Sequence, residues 1–82
     1  MKRQEKVIAV ATLGAAIRDK RKSMGVRQDE LAGMSGVGVR FLSELERGKV
    51  TCEMGKALQV LERLGLELWV TPRGTVLEWR QQ

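Results

Sequence analysis

Apolar residues recur with a helical period along most of this chain, and the period changes near its end. Leu13, Ala16, Ile17 and Met24 are spaced to share one face, while Arg18, Asp19, Arg21 and Lys22 fall on others, which predicts a first helix over 13–24. Thr12 is its candidate N-cap, with a start one turn earlier as the alternative, and Gly25 stops it. A second helix is predicted over 28–34, with Leu31 inward and Ala32 small enough to let a neighbour pack close. Gly36 follows in a turn where a left-handed backbone is easiest for glycine, and Val37 plugs the core. A third helix is predicted over 38–47, burying Leu42 and Leu45 and ending at Gly48. Thr51 suits the N-cap of a fourth, with Glu53 in its first turn. Met54, Leu58, Leu61 and Leu64 make the stripe of that helix, Val60 widens it, and Gly65 closes it.

Beyond Gly65 the period falls to two. Leu66, Leu68 and Val70 alternate with Glu67, Trp69 and Thr71, the pattern of a strand. Pro72-Arg73-Gly74 is turn chemistry, and 75–79 is either the second strand of a hairpin or a tail. The chain thus divides into an N-terminal arm over 1–11 (itself a lead-in or a short strand), a helical domain over 12–65, and a strand with tail over 66–82.

Eighty-two residues allow one domain. A chain of this size buries only about 60% of its unfolded surface, so association is an expected supplement to a thin core. With 43% hydrophobic and 30% charged residues the composition is globular. Fifteen Lys and Arg against 10 Asp and Glu give +5, which favours a polyanionic partner but serves solubility equally well. Cys52 is the single cysteine, so no internal disulfide forms and a reducing cytosol fits. Without His or a second Cys the residues offer no zinc site, and a structural thiol is expected. No nucleophile–base set and no glycine-rich phosphate loop after a strand are present, so neither enzyme activity nor a cofactor is expected. The apolar stretch 7–11 is too short for a signal-peptide core, and no run approaches the ~20 apolar residues of a membrane span; a soluble, cytoplasmic protein is expected.

The decisive segment is 28–48, QDELAGMSGVGVRFLSELERG: two short amphipathic helices joined by a glycine-containing turn. Such a pair lets one helix cross a DNA backbone while the next enters the major groove. The offsets of Gln28, Leu31-Ala32, Gly36-Val37, Leu42-Ser43, Glu46 and Gly48 resemble the lambda-repressor and Cro-like (XRE) helix-turn-helix family over residues 13–64. The resemblance implies a mainly α domain of four to five helices. Gly38, Val39, Arg40, Ser43 and Glu44, at the start and on the exposed face of the third helix, then become base-reading candidates. Arg40 leads them, because a bidentate Arg–guanine contact is the commonest specific pairing, and Val39 suits a thymine methyl. Arg27, Gln28, Phe41, Arg47 and Lys49 are the phosphate candidates; Gln28 opens the second helix, where unpaired N–H groups favour an anion. Other readings stay open: Arg40 and Arg47 as plain surface charges, Phe41 as packing, Glu46 as a fold-holding residue. Two positions depart from the family pattern. Arg27 stands where Ser or Thr usually caps the second helix, predicting a frayed start, and Gly38 replaces the Ser or Thr common before the third.

The passage from LERLGLELWV into TVLEW resembles the HipB-type antitoxins. That resemblance implies a C-terminal β-strand pairing with its symmetry mate in an intersubunit sheet, with Leu66, Leu68, Trp69 and Val70 in the dimer interface. It also implies a homodimer on double-stranded DNA bearing a palindromic operator, and a HipA-type Ser/Thr kinase toxin as partner. An intrachain hairpin is the competing use of the strand, marginal unless it packs on something. Trp79 is a candidate toxin contact or a residue folded back on its own domain. Three functions follow: an autorepressing antitoxin, a stand-alone regulator of the same fold, or a protein-interaction adaptor.

Overall fold

A computed structural model describes residues 9–72. Four helices follow one another: α1 (Val10–Ser23), α2 (Gln28–Ser35), α3 (Val39–Glu46) and α4 (Met54–Leu64). They enclose one core of Leu13, Ile17, Leu31, Ala32, Leu42, Leu45, Ala57, Val60, Leu61 and Leu64. Each helix buries one stripe because its apolar residues return every three or four positions.

All four helices end in the same way. A glycine with positive φ follows each: Gly36 and Gly65 directly after α2 and α4, Gly25 and Gly48 one residue further on, after Met24 and Arg47. The next N–H then reaches back to the carbonyl five residues earlier: Val26 to Arg21, Val37 to Ala32, Lys49 to Glu44, Leu66 to Leu61. This closure satisfies carbonyls that a helix end leaves unpaired, and an apolar residue at that next position normally covers it. Val26, Val37 and Leu66 do so, packing on the core. The exception is Lys49, an exposed cation after α3.

Packing of α1 against the end of α3 depends on two glycines. A Cβ on Gly14 would collide with the carbonyl oxygen of Leu45 and stand 3.0 Å from that of Glu46. A Cβ on Gly48 would stand 2.8 Å from Ala11 Cα, on a backbone with φ +86° that side chains other than hydrogen rarely adopt. Both positions bring α1 into backbone contact with α3, and so fix α3's angle to the body.

Several expectations need correction. α1 begins at Val10 with Ala9 as N-cap, a turn before Thr12, and Met24 lies exposed beyond its end. Arg21, expected on an outer face, is buried. α4 is capped at Glu53, not Thr51. Its buried stripe is Ala57, Val60, Leu61 and Leu64, which leaves Met54 and Leu58 exposed. Ala57 is fully buried, and its missing bulk suits close packing with the neighbouring helices. The described residues contain no strand: 66–72 has no regular secondary structure, since apolar–polar alternation alone does not build a ladder. Residues 1–8 and 73–82, with Trp79 and the possible 75–79 strand, lie outside the described residues.

Candidate nucleic-acid interface

The turn at Gly36 and Val37 sends α3 off across α2, with Gly38 as an extended N-cap (φ −76°, ψ 151°). Leu42 and Leu45 hold the inner face of α3. Its outer face carries Val39, 46% exposed, and Arg40, whose side chain is 91% exposed. Ser43 and Glu44 are half-buried between them and the body, and Arg47 is exposed just past the helix end. Phe41 is half-buried, packed at the edge of the core, with Lys56 Nζ 5.7 Å from its ring centroid. No acidic residue stands in the first turn of α3, so its positive dipole end is not neutralised by its own sequence.

The carboxylate of Glu44 joins two of the cations. Lys49 Nζ donates to its Oε1 at 3.3 Å, and Arg40 Nε lies 3.6 Å from its Oε2. The Lys49 hydrogen bond, with the charges of Lys49 and Arg40, outweighs desolvation and holds Glu44 below the usual carboxylate range. The pairing is at the surface and weak, so it restrains Arg40 without locking it.

The end of α3 is tied to the other helices through Glu46, whose side chain is 2% exposed. Arg21 Nε and Nη2 donate to its two oxygens at 2.7 and 3.0 Å, and Gln28 Nε2 donates to Oε1 at 3.0 Å. Arg21 Nη1 also donates to the Val26 carbonyl at 2.9 Å. Burial pushes the Glu46 carboxyl up. The hydrogen bonds from Arg21 and Gln28, together with the charges of Arg21 and Arg18, more than reverse this, so Glu46 lies below its ordinary value. Glu46 is therefore a fold-holding residue, and Gln28 at the start of α2 is oriented by it.

At the start of α2 the guanidinium of Arg27 has no acceptor and cannot cap in the manner of Ser or Thr. Local carboxylates serve instead: Glu30 Oε1 accepts the Arg27 N–H at 2.9 Å, and Asp29 Oδ1 accepts the Glu30 N–H at 3.0 Å. Arg27 Nε donates to Asp29 at 3.1 Å, which holds Asp29 below the usual carboxylate range. The start of α2 is thus closed by Glu30 and Asp29 despite the missing hydroxyl.

Between α1, α2 and α3 lies an open hollow of about 300 Å³ lined by Arg18, Arg21, Gln28, Ser43, Glu46 and Arg47. The structure brings Gln28, Ser43 and Arg47 together across it, with Arg40, Glu44 and Lys49 grouped along α3. Leu66 packs on the core, whereas Leu68, Trp69 and Val70 are exposed. Sequence reasoning passed over Arg18 and Arg21, since only the fold brings α1 to α3; the one local signal was the basic cluster 18–22 ending α1. Among the described residues no group of His, Cys, Asp or Glu is placed to hold a metal ion, and no helix is long and apolar enough to cross a membrane.

Two short helices meeting at a left-handed glycine, the second bearing an exposed polar face, define a helix-turn-helix protein. The helix-turn-helix family model HTH_3 matches residues 17–68, and the chain belongs to that family. It is 50% identical over 64 residues to an uncharacterized HTH-type transcriptional regulator, y4mF, of Sinorhizobium fredii (strain NBRC 101917 / NGR234), spanning 78% of this chain and 84% of that protein. Among solved structures its fold is similar to HipB in the HipA–HipB–O2–O3 complex, with a TM-score of 0.77 at 21% identity over 85% of this chain and 99% of that one. The clp gene regulator ClgR from C. glutamicum is 37% identical, with a TM-score of 0.64, covering 76% of this chain and 80% of its own.

Proposed function

We propose that this chain is a DNA-binding transcriptional repressor that acts as a dimer on a palindromic operator. The observation that carries the reading is the outer face of α3, where Val39 and Arg40 stand clear of the body while Glu46 and the two α1 contacts hold the helix rigidly beneath them. Val39 and Arg40 read base edges at the N-terminal end of the helix, with Gly38, Ser43 and Glu44 beside them. Arg27, Gln28, Phe41, Arg47 and Lys49 face the backbone. Leu68, Trp69 and Val70, whose side chains are exposed, pair with a second copy in a shared ribbon. Two recognition helices then fall about 34 Å apart, one turn of duplex.

The fold of HipB, in its complex with HipA, supports the finer reading of an antitoxin that binds a kinase toxin as well as its operator. A stand-alone regulator is the second reading. It is favoured by the relatives of higher identity, y4mF and ClgR, both described as regulators. Co-purification with the product of an adjacent kinase-like reading frame separates the two.

DNA binding is tested by anisotropy against salt. Phosphate-based binding requires a log–log slope of about −0.9 per contact, and a flat response refutes it. Arg40→Ala is expected to cost about 1–3 kcal/mol on the operator and far less on random duplex. Equal losses on both reduce Arg40 to a phosphate contact.

A further inference from the structure

Glu44 is badly placed for the helix that carries it. A carboxylate stabilises the first turn of a helix and opposes the last, and Arg40 followed by Glu44 is the weaker order for a pair four residues apart. α3 has no acidic residue in its first turn and no basic one in its last to offset this. Glu46, close by in sequence, is explained by the buried contacts it makes with Arg21 and Gln28. Glu44 instead meets the outer cations, on the face where a polyanion would repel its charge. Lys49 grips it twice: Nζ donates to Oε1 at 3.3 Å, and the Lys49 N–H donates to the Glu44 carbonyl at 3.0 Å. At the corresponding position after α1, α2 and α4 stands an apolar residue packed on the core; after α3 it is a cation, and its side chain turns to Glu44. From the other side Arg40 Nε lies 3.6 Å from Oε2, with the Arg40 side chain still 91% exposed. Lys49 thus anchors the carboxylate, and the carboxylate restrains Arg40.

Specificity is a difference between two affinities, and a group that penalises the wrong partner contributes to it as much as a contact to the right one. On a random duplex, binding rests on cations meeting phosphates. There Glu44 repels the phosphates and competes with them for Arg40. On a sequence that presents guanine to Arg40, the bidentate contact to O6 and N7 replaces the pairing. We propose that Glu44 is a positioning residue for sequence choice: anchored by Lys49, it withholds Arg40 from backbone phosphates and releases it to the base that Arg40 reads. The proposal rests on the base-reading role given to α3 above and adds to it a carboxylate that disfavours every other sequence.

The test compares the whole chain as wild type, Glu44→Gln, Arg40→Ala and the double variant on two probes: the duplex that wild type enriches most from a random pool, and a random-sequence duplex. Glu44→Gln is expected to melt with the wild type, since surface ion pairs contribute little. On the random duplex its log–log salt slope should steepen by about 0.9 per protomer as Arg40 gains a phosphate, so that its advantage over wild type grows about 3.5-fold per protomer between 200 and 50 mM salt. The selected duplex should gain far less, so the ratio of the two affinities falls. In the Arg40→Ala background, Glu44→Gln should leave that ratio where it is, a result that a merely structural role would not give. An unchanged ratio in Glu44→Gln, or the same fall without Arg40, overturns the proposal. A loss on the selected duplex with an unchanged random-duplex slope makes Glu44 a direct base contact and refutes it as well. A wild type that binds neither duplex, or both alike, overturns the base-reading role of α3 and the proposal with it.

Discussion

Replacing Glu46 with alanine removes one carboxylate and strands a guanidinium. Arg21 has a side chain only 10% exposed, and it gives two of its donors to Glu46 and a third to the Val26 carbonyl. Breaking a buried pair by deleting one partner typically costs about 3–5 kcal/mol, because the survivor is left charged and desolvated. Gln28 also loses its acceptor. A domain of 82 residues has about 4–12 kcal/mol of stability at ~0.05–0.15 kcal/mol per residue, so Glu46→Ala removes a large fraction of it. At about 4–8 °C per kcal/mol the melting midpoint drops by at least ~12 °C. Urea melts of Glu46→Ala, Arg21→Met and the double variant measure this directly. The double variant is expected to be more stable than Glu46→Ala, since it leaves no stranded charge. A loss below about 1 kcal/mol in Glu46→Ala, or simple additivity in the double variant, refutes the idea that this pair ties α1 to α3.

Further outcomes follow from the same contacts. Gly14→Ala is expected to destabilise by about 1–3 kcal/mol through its collision with the Leu45 carbonyl, while Gly33→Ala, whose Cβ meets nothing within 4 Å, gains up to ~1 kcal/mol; thermal melts of the two should move in opposite directions. Glu46 lies below its ordinary value when folded, so its contribution is fully present above the unfolded value near ~4.3 and is lost as the pH falls through the folded one. Acid titration of wild type and Glu46→Gln should show the wild type losing more stability below about pH 5, and parallel curves would contradict this. Val70→Pro, at a site 94% exposed in one chain, should leave the helical domain folded but yield monomers in sedimentation, whereas a persisting dimer excludes the shared ribbon.

What the sequence revealed was mostly local. The helix-turn-helix could be read because Gln28, Leu31-Ala32, Gly36-Val37, Leu42 and Gly48 act within a few residues of where they stand, through period and turn chemistry. The four stops at Gly25, Gly36, Gly48 and Gly65 were legible for the same reason. Arg21 was misplaced because its partner, Glu46, is 25 residues away, and a lone basic residue on a helix carries no sign of burial. Gly14 went unnoticed, since a backbone approach leaves no side chain to read. In α4 two adjacent stripes were both apolar; packing chose the one containing small Ala57 over the one with Met54 and Leu58. The hollow was invisible for a related reason: Arg18, Gln28 and Arg47 come from three separate segments.

Whether α3 reads DNA is decided most directly by selecting bound duplexes from a random pool with the purified chain. Enrichment of two inverted half-sites with centres one turn, ~34 Å, apart is expected, with enrichment at the half-site bases lost in Arg40→Ala. A pool that emerges unenriched, or one whose preferred site is unchanged by Arg40→Ala, contradicts it.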